Sequence, residues 1–529
     1  MIQDNLLLIL FLLFTISMLT ILSGKLKISY PIFLVIAGLL ISLVPGIPLI
    51  SLQPELVFLI FLPPLLYAAA WNTSWTDFWN QKRAIGLLSF GLVIFTSALV
   101  AIISHWLIPD FPLAYGFLLG GIISPPDAVA ATSVLQGLKV PKRVVTILEG
   151  ESLVNDASSL IVLRFALLAI TTGQFEWGKA SQSFFMVVVM GILIGLAIAH
   201  VVYAIHRFFT TNSEIDGAIT LITPYIMYIT AEHFHYSGVL SVVSGGLFLT
   251  YRSQDIFSYE TRISVSGLWS TLIFLLNGLV FILIGLQLPS VLAGLGDNSV
   301  GEAIFYGLVI SVLTIIIRII WVFPGAYLPR MLVRKIREKE TRPNWQTVFI
   351  VAWSGMRGVV SLASALSIPL LLNEKAFPHR NLILFITFVV ILVTLVLQGL
   401  SLKPLIRLLK VDVSEEGIKE QLLEMRVKLA EAVLAHLETN YNDHIEEHDT
   451  FRRVKDRYAR MIEIAKRKLE NNETEEYAAF LPLYREMLVE LVHVRRLELK
   501  KMRHSKAYSD EMIREREWEL DLEEARLRN

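Results

Sequence analysis

Glu149-Gly150-Glu151-Ser152-Leu153-Val154-Asn155-Asp156 opens an apolar segment, 147–170, that is otherwise built for the interior of a bilayer. A spanning helix needs roughly 20 mostly apolar residues, and ionisable groups inside one are costly and mark function. At helical spacing Ser152 and Asp156 are four apart and share a face, which Glu149 joins seven residues before Asp156. Glu151 and Asn155 form an adjacent stripe. Asp156 lies about ten residues into the segment, which at about 1.5 Å per residue puts it roughly 15 Å deep, near the bilayer midplane. Arg164 follows two turns further out on the Asp156 face.

The surrounding chain has 529 residues, 54% of them apolar and 18% charged. The charge is unevenly spread. Residues 1–410 carry 25 Lys/Arg and 19 Asp/Glu, so 44 of 410 are charged; residues 411–529 carry 22 and 28, so 50 of 119 are. The first part is too apolar for a water-facing surface and the second too charged to enter a bilayer. The split predicts an all-α polytopic membrane domain at 1–410 and a cytoplasmic helical C-terminal domain at 411–529. It excludes a soluble enzyme, a secreted domain and a nucleic-acid binder. The chain has no cysteine, hence no disulfide framework, thiolate metal site or cysteine nucleophile. The apolar run Leu6 to Leu22 has neither a basic lead nor a small-residue cleavage site, so it reads as a membrane helix rather than a signal peptide.

Thirteen candidate spans follow: 5–22, 30–44, 52–71, 84–107, 111–134, 147–170, 183–208, 217–233, 237–251, 266–288, 302–325, 345–372 and 381–408. Loop charge checks the count, because Lys and Arg are retained on the cytoplasmic side. Loops after odd-numbered spans hold 19 Lys and Arg, among them Lys82, Arg83, Lys139, Lys142, Arg143, Arg330 and Lys335; the opposite loops hold three, Lys179, Lys375 and Arg380. The N-terminus is therefore expected outside and the tail inside.

Two spans are interrupted. Ser124-Pro125-Pro126-Asp127 removes two amide donors and breaks the fifth. Gly355-Met356-Arg357-Gly358, with Pro369 beyond, does the same in the twelfth. Such breaks are tolerated in a membrane where they line a cavity or pack inside protein, and paired breaks at matching positions point to inverted repeats around a midplane site. Asp127 reads either as a wall of that site or as a helix cap. Glu151 and Arg357 read as a buried structural ion pair, Arg164 and Arg318 as packing or interface charges, His105 and His200 as interfacial, and Gly245-Gly246 as a close helix contact.

A mid-bilayer carboxylate beside hydroxyl and amide oxygens suits a hard monovalent cation. If a cation and a proton occupy it by turns, their movements are coupled in opposite directions. An enzyme would need a nucleophile, base and acceptor at the membrane surface, and a channel a continuous polar file; the sequence has neither pattern.

At these residues the chain resembles the monovalent cation:proton antiporter-1 family, the sodium/proton exchangers. Gly150 to Ala157 is similar to the family signature, as are Leu62-Pro63-Pro64, the break at 124–127 and Gly355 to Gly358, in matching order across 1–410, most closely in the bacterial branch. The resemblance implies about thirteen transmembrane helices in two inverted six-helix repeats with broken crossing helices, a core domain moving against a dimerisation domain, and a homodimer in the plasma membrane acting in pH homeostasis. It implies Na⁺ or Li⁺ exchanged for H⁺ with no cofactor, and Asp156 as carrier with Ser152 as a ligand of the Na⁺. Asn155 would support the carboxylate, and Glu151 would pair with Arg357. With Asp127 and Ser124 at the break, these residues complete the expected cation- and proton-binding set. Asn155 before Asp156, in place of a second acid, is associated with electroneutral one-for-one exchange. Relatives often carry an acid on the third span where this chain has Ala68, and they read Asp-Pro where it has Pro126-Asp127-Ala128. A K⁺/H⁺ antiporter of the same fold stays open as the alternative.

The tail has apolar positions at helical spacing, Leu422, Met425, Leu429, Val433 and Leu437, then Leu488, Leu491, Val494 and Leu497, with a polar break at Asn471-Asn472. It holds five of the eleven histidines. A solvated helical bundle is the plain reading, and regulation by pH or a partner the sharper one.

Overall fold

The computed structural model describes residues 2–44, 57–136, 138, 140–173, 177–209, 212–295, 299–339, 342–372, 374–411, 415–469, 475–505 and 508–528. Lys139, the start of the third expected span and Asn471-Asn472 lie outside them. The chain forms two compact units, Met1–Asp412 and Val413–Asn529.

Among the described residues of the first unit eight helical stretches are long and apolar enough to cross a membrane: Leu7–Leu26, Lys82–Leu107, Leu113–Leu135, Lys142–Thr172, Gln182–Phe208, Tyr259–Leu286, Val300–Leu332 and Arg380–Leu409. Tyr30–Ser42, Phe58–Asn72 and Gly238–Tyr251 are apolar but shorter. Two expected spans are of another kind. Ser213–His233 is helical but carries Glu214, Asp216 and an internal Pro224. The segment expected at 345–372 is two helices, Trp345–Trp353 and Val359–Leu366, and it ends six residues early. Pro369 denies its predecessor the helical region, and the chain turns instead into a two-stranded antiparallel hairpin pairing Leu371 with Ala376.

The two double prolines behave differently. Pro63 and Pro64 lie within a continuous helical stretch, Phe58–Asn72, in the first α-helical turn of Leu62–Asn72, and the missing N–H groups are accommodated without a break in the chain's helical course. A π-helical turn, Val57–Phe61, leads into them. Pro125 and Pro126 fall where a helix is already under way, so Leu113–Ile123 stops and Ala128–Leu135 starts again after four residues outside the helix.

Two apolar clusters fill the unit. One gathers Leu118, Ile122, Leu148, Leu163, Ile317, Ile350 and Ile386; the other gathers Leu66, Tyr67, Leu153, Ala157, Met227, Val242 and Trp269. The Lys142–Thr172 helix supplies side chains to both, which places Asp156 at their seam. The expected close contact at Gly245-Gly246 is present: a Cβ on Gly245 would stand 2.9 Å from the Gly195 carbonyl and closer still to the Met227 side chain, and one on Gly246 would be 2.9 Å from the Ala70 Cβ.

The second unit contains Glu415–Asn440, Asn442–Glu447, Asp449–Leu469, Glu475–Ser505 and Asp510–Arg528. Glu415–Asn440 and Asp449–Leu469 pack together with Lys455–Glu438 and Lys466–Glu431 bridges, both 2.9 Å. Glu475–Ser505 and Asp510–Arg528 are joined by Arg495–Glu523 at 2.7 Å and Arg503–Glu517 at 2.8 Å. Among the described residues here Val427, Ala430, Ile445, Ala465, Val492, Ile513 and Leu520 are the buried hydrophobic ones, while Leu422, Met425, Leu429, Leu491, Val494 and Leu497 are exposed. Glu415–Asn440 and Asp449–Leu469 pair through the stripe of smaller side chains Val427, Ala430 and Ala465, which sequence periodicity does not separate from the larger one.

Gly245→Val should lower the melting temperature in detergent by the overpacking cost of a tight contact, about 1–3 kcal/mol. An unchanged melt would mean that the two helices part without loss.

Candidate ion site

The two breaks cross. The Asp127 N–H donates to the Met356 carbonyl at 2.6 Å, and Arg357 Nε donates to the Ile123 carbonyl at 3.0 Å. Each break exposes one helix C-terminus and one N-terminus, with partial negative and positive charge respectively. The charged side chains match that pattern. Asp127 is the N-cap of Ala128–Leu135 and accepts from the Val129 N–H at 2.8 Å. It also lies against Gly358, where any Cβ would overlap its carboxylate. Arg357 sits on the opposite ends, donating to Ile123 O and to Gly355 O, while its own N–H is held by Thr394 Oγ1 at 3.1 Å. Asp127 is thus a helix cap and also a wall of the cavity described next, both of its sequence readings at once.

The Lys142–Thr172 helix runs past this crossing. Asn155 is fully buried, and its Nδ2 donates to Pro126 O at 3.2 Å; its Oδ1 has no partner among the described residues. Ser152 Oγ accepts from the Ala128 N–H at 3.3 Å. Ser124 turns its hydroxyl back to Gly121 O at 3.1 Å and stands outside the cavity lining, as does Asn155. Asp156 is 6% exposed, and its carboxylate makes no hydrogen bond or ion pair among the described residues.

Asp156 faces a cavity of about 310 Å³ that it shares with Asp127, Ser152, Glu149, Tyr30 and Asn277. Ala68 is part of the wall, so the side chain contributed there is a methyl group. Tyr30 and Asn277 carry no charge at neutral pH, so the pattern of charges inside the spans does not point to them. The available signal was an amide inside the apolar run of Tyr259–Leu286, where Asn277 is 4% exposed. Thr132, Ser133 and Gln136 line the same cavity.

Glu151 does not pair with Arg357. Its carboxylate is held by both terminal nitrogens of Arg318, at 2.5 and 2.7 Å, with 0% of Arg318 and 1% of Glu151 exposed. Arg318 Nη2 also donates to Val351 O at 3.1 Å, and Ser89 Oγ donates to Glu151 O at 3.1 Å. Arg318, expected as a packing or interface charge, is therefore half of the buried pair. Spacing ranks neither arginine above the other; the Val300–Leu332 helix, bringing Arg318 across from a distant part of the chain, decides it. Gly355 makes room, since a Cβ there would collide with the Arg318 side chain. Arg164 pairs with Glu232 at 2.5 Å, partly exposed.

Residues 9–408 match the family model described as sodium/hydrogen exchanger, transmembrane. The chain is 32% identical over 415 residues to the sodium, potassium, lithium and rubidium/H⁺ antiporter of Bacillus pumilus, covering 77% of this chain and 60% of that protein. It thus spans less than two thirds of that relative's length. It is 32% identical over 421 residues to a Na⁺/H⁺ antiporter of Aphanothece halophytica, covering 78% of this chain and 75% of the relative. The fold is similar to that of the sodium proton antiporter of Methanocaldococcus jannaschii at pH 8, with a TM-score of 0.61 and 19% identity over 78% of this chain and 100% of that one.

Breaking the buried pair leaves an uncompensated charge, which costs about 3–5 kcal/mol in soluble proteins. Arg318→Gln and Glu151→Gln should each lower the melting temperature markedly. A double-mutant cycle should give a coupling of about 1–3 kcal/mol for Glu151 with Arg318 and a smaller one for Glu151 with Arg357. The reverse order would overturn the pairing.

Proposed function

Because this chain belongs to the transmembrane sodium/hydrogen exchanger family, whose members are transporters rather than enzymes and need no cofactor, we propose that it exchanges Na⁺ for H⁺ at Asp156. The observation that carries the reading is a buried carboxylate that faces a cavity without a partner of its own. An isolated carboxylate ion out of water is costly, so the side chain is at rest only when it holds a proton or a cation. One group that holds either, and not both, couples the two flows. Ser152, beside it on the wall, offers a hydroxyl oxygen as a second ligand.

The other charges near the crossing stay in place. Asp127 is engaged as a cap, Arg357 holds the carbonyls of two helix ends, and Glu151 and Arg318 neutralise each other. Only Asp156 changes its load. The site is then neutral with Na⁺ and neutral with H⁺, and it crosses between the two accessible states without moving net charge. This is electroneutral one-for-one exchange.

We place the protein in the plasma membrane as a homodimer, with about thirteen helices in two inverted repeats. The asymmetry of Lys and Arg between the two sets of loops supports an outside N-terminus and an inside tail. Asn72, Gln136 and Glu149 line the cavity near the basic loops, which supports a cytoplasm-facing state. K⁺ is the second candidate cation: Ala68 leaves the site without an acid from the third helix, and the Bacillus pumilus relative is named for potassium as well as sodium.

Asp156→Asn keeps the shape and removes the charge, so Na⁺-driven dissipation of a pH gradient in proteoliposomes should vanish while the protein stays folded. Substantial flux in that variant would sink the carrier assignment. Repeating the wild-type assay with Li⁺ and K⁺ ranks the cations. An imposed K⁺/valinomycin potential, worth about 2.3 kcal/mol per charge per 100 mV, should leave Na⁺/H⁺ exchange unchanged; a rate that tracks the voltage would show that a second charge moves.

A further inference from the structure

His444, Glu447 and His448 lie at the corner between Glu415–Asn440 and Asp449–Leu469, on the short helix Asn442–Glu447 and the residue that ends it. The His448 N–H donates to His444 O at 2.9 Å, so the two histidines stay one turn apart. One ligand atom from each of the three side chains lies within 4.8 Å of the others. None of the three makes a side-chain hydrogen bond or ion pair among the described residues, and all are exposed. Metal–ligand bonds of about 2 Å to nitrogen and oxygen are then reached by side-chain rotation alone.

The surroundings favour a cation. Asp443, Glu446 and Asp449 flank the three ligands in sequence. Arg452, the nearest base in the chain, is engaged with Glu446 O at 3.0 Å and with Asp449 at 3.5 Å. The His444 ring lies 5.4 Å from the Phe451 ring at an interplanar angle of 30°, and 6.2 Å from His448 at 17°. Tyr441 stacks on Phe451 at 6.2 Å. The aromatic packing narrows the orientations of both imidazoles before any ion arrives. In a chain without cysteine, two imidazoles and a carboxylate suit a borderline transition ion rather than Mg²⁺ or Ca²⁺, which prefer all-oxygen sets.

We propose that His444, Glu447 and His448 form a transition-metal site of the Zn²⁺ class on the C-terminal unit. Three protein ligands leave a fourth position for water. The ion fixes the corner of a helical hairpin otherwise joined by the small apolar stripe of Val427, Ala430 and Ala465 and by lysine–glutamate bridges, each bridge worth about 0–1 kcal/mol. The tail thereby becomes sensitive to a metal ion that the membrane site does not carry.

The test uses the untagged full-length protein in detergent, stripped with chelator, titrated with ZnCl₂ by calorimetry and counted by elemental analysis. One saturable Zn²⁺ per chain is expected, undisturbed by excess Mg²⁺. Loss of an outer-shell partner alone weakens metal sites about 10- to 100-fold, so H444A/H448A should weaken binding by at least about tenfold. His444→Gln and Glu447→Gln, which keep side-chain size, should each weaken it less. Circular dichroism checks that helicity is unchanged. Binding that is equal in H444A/H448A, absent in wild type or displaced by Mg²⁺ would overturn the proposal.

Discussion

Two helices stop inside an apolar bundle, and the backbone groups at their four ends have to be satisfied there without water. The rest of the membrane unit is arranged around that requirement. The breaks satisfy part of it for each other, through the Asp127 N–H on the Met356 carbonyl and Arg357 on the Ile123 carbonyl. One acid stands at the positive helix ends and one base at the negative ends, so the crossing is neutral as a unit and each charge is compensated where it sits.

Because the crossing is compensated internally, it leaves no countercharge for Asp156. Had Arg357 or Arg318 been free to reach it, the carboxylate would be locked in a structural ion pair, as Glu151 is. Arg318 is taken up by Glu151 and Val351, and Arg357 by two carbonyls. The buried Glu151–Arg318 pair is weak evidence for stability in itself, since desolvation offsets most of its attraction. Its consequence here is positional: it ties the Lys142–Thr172 helix to the Val300–Leu332 helix one residue before Ser152, which fixes the face that turns Asp156 toward the cavity.

The glycines of Gly355-Met356-Arg357-Gly358 follow from the same geometry. Gly355 lets the Arg318 side chain pass to Glu151, and Gly358 leaves space for the Asp127 carboxylate. A motif that reads in sequence as a helix break is in space the gap through which two charged side chains from other helices approach their partners.

Local and compositional features were legible in the sequence. The membrane unit and charged tail follow from the split in charge density, the helical stretches from apolar run length, and the breaks from Pro125-Pro126 and Gly355 to Gly358. Asp156 with Ser152 follows from helical spacing. These depend on composition and on residues within one or two turns of each other, where geometry is set by the helix itself. What only the tertiary structure decided concerns partners far apart in the chain. The choice of Arg318 over Arg357 for Glu151 turns on which of two distant helices passes at the right height. The entry of Tyr30 and Asn277 into the cavity wall, and the exposure of Leu422, Met425 and Leu429 in favour of a smaller neighbouring stripe, depend on helix rotation. Helical periodicity says which residues share a face, but the face that meets another helix is chosen by the packing of the whole.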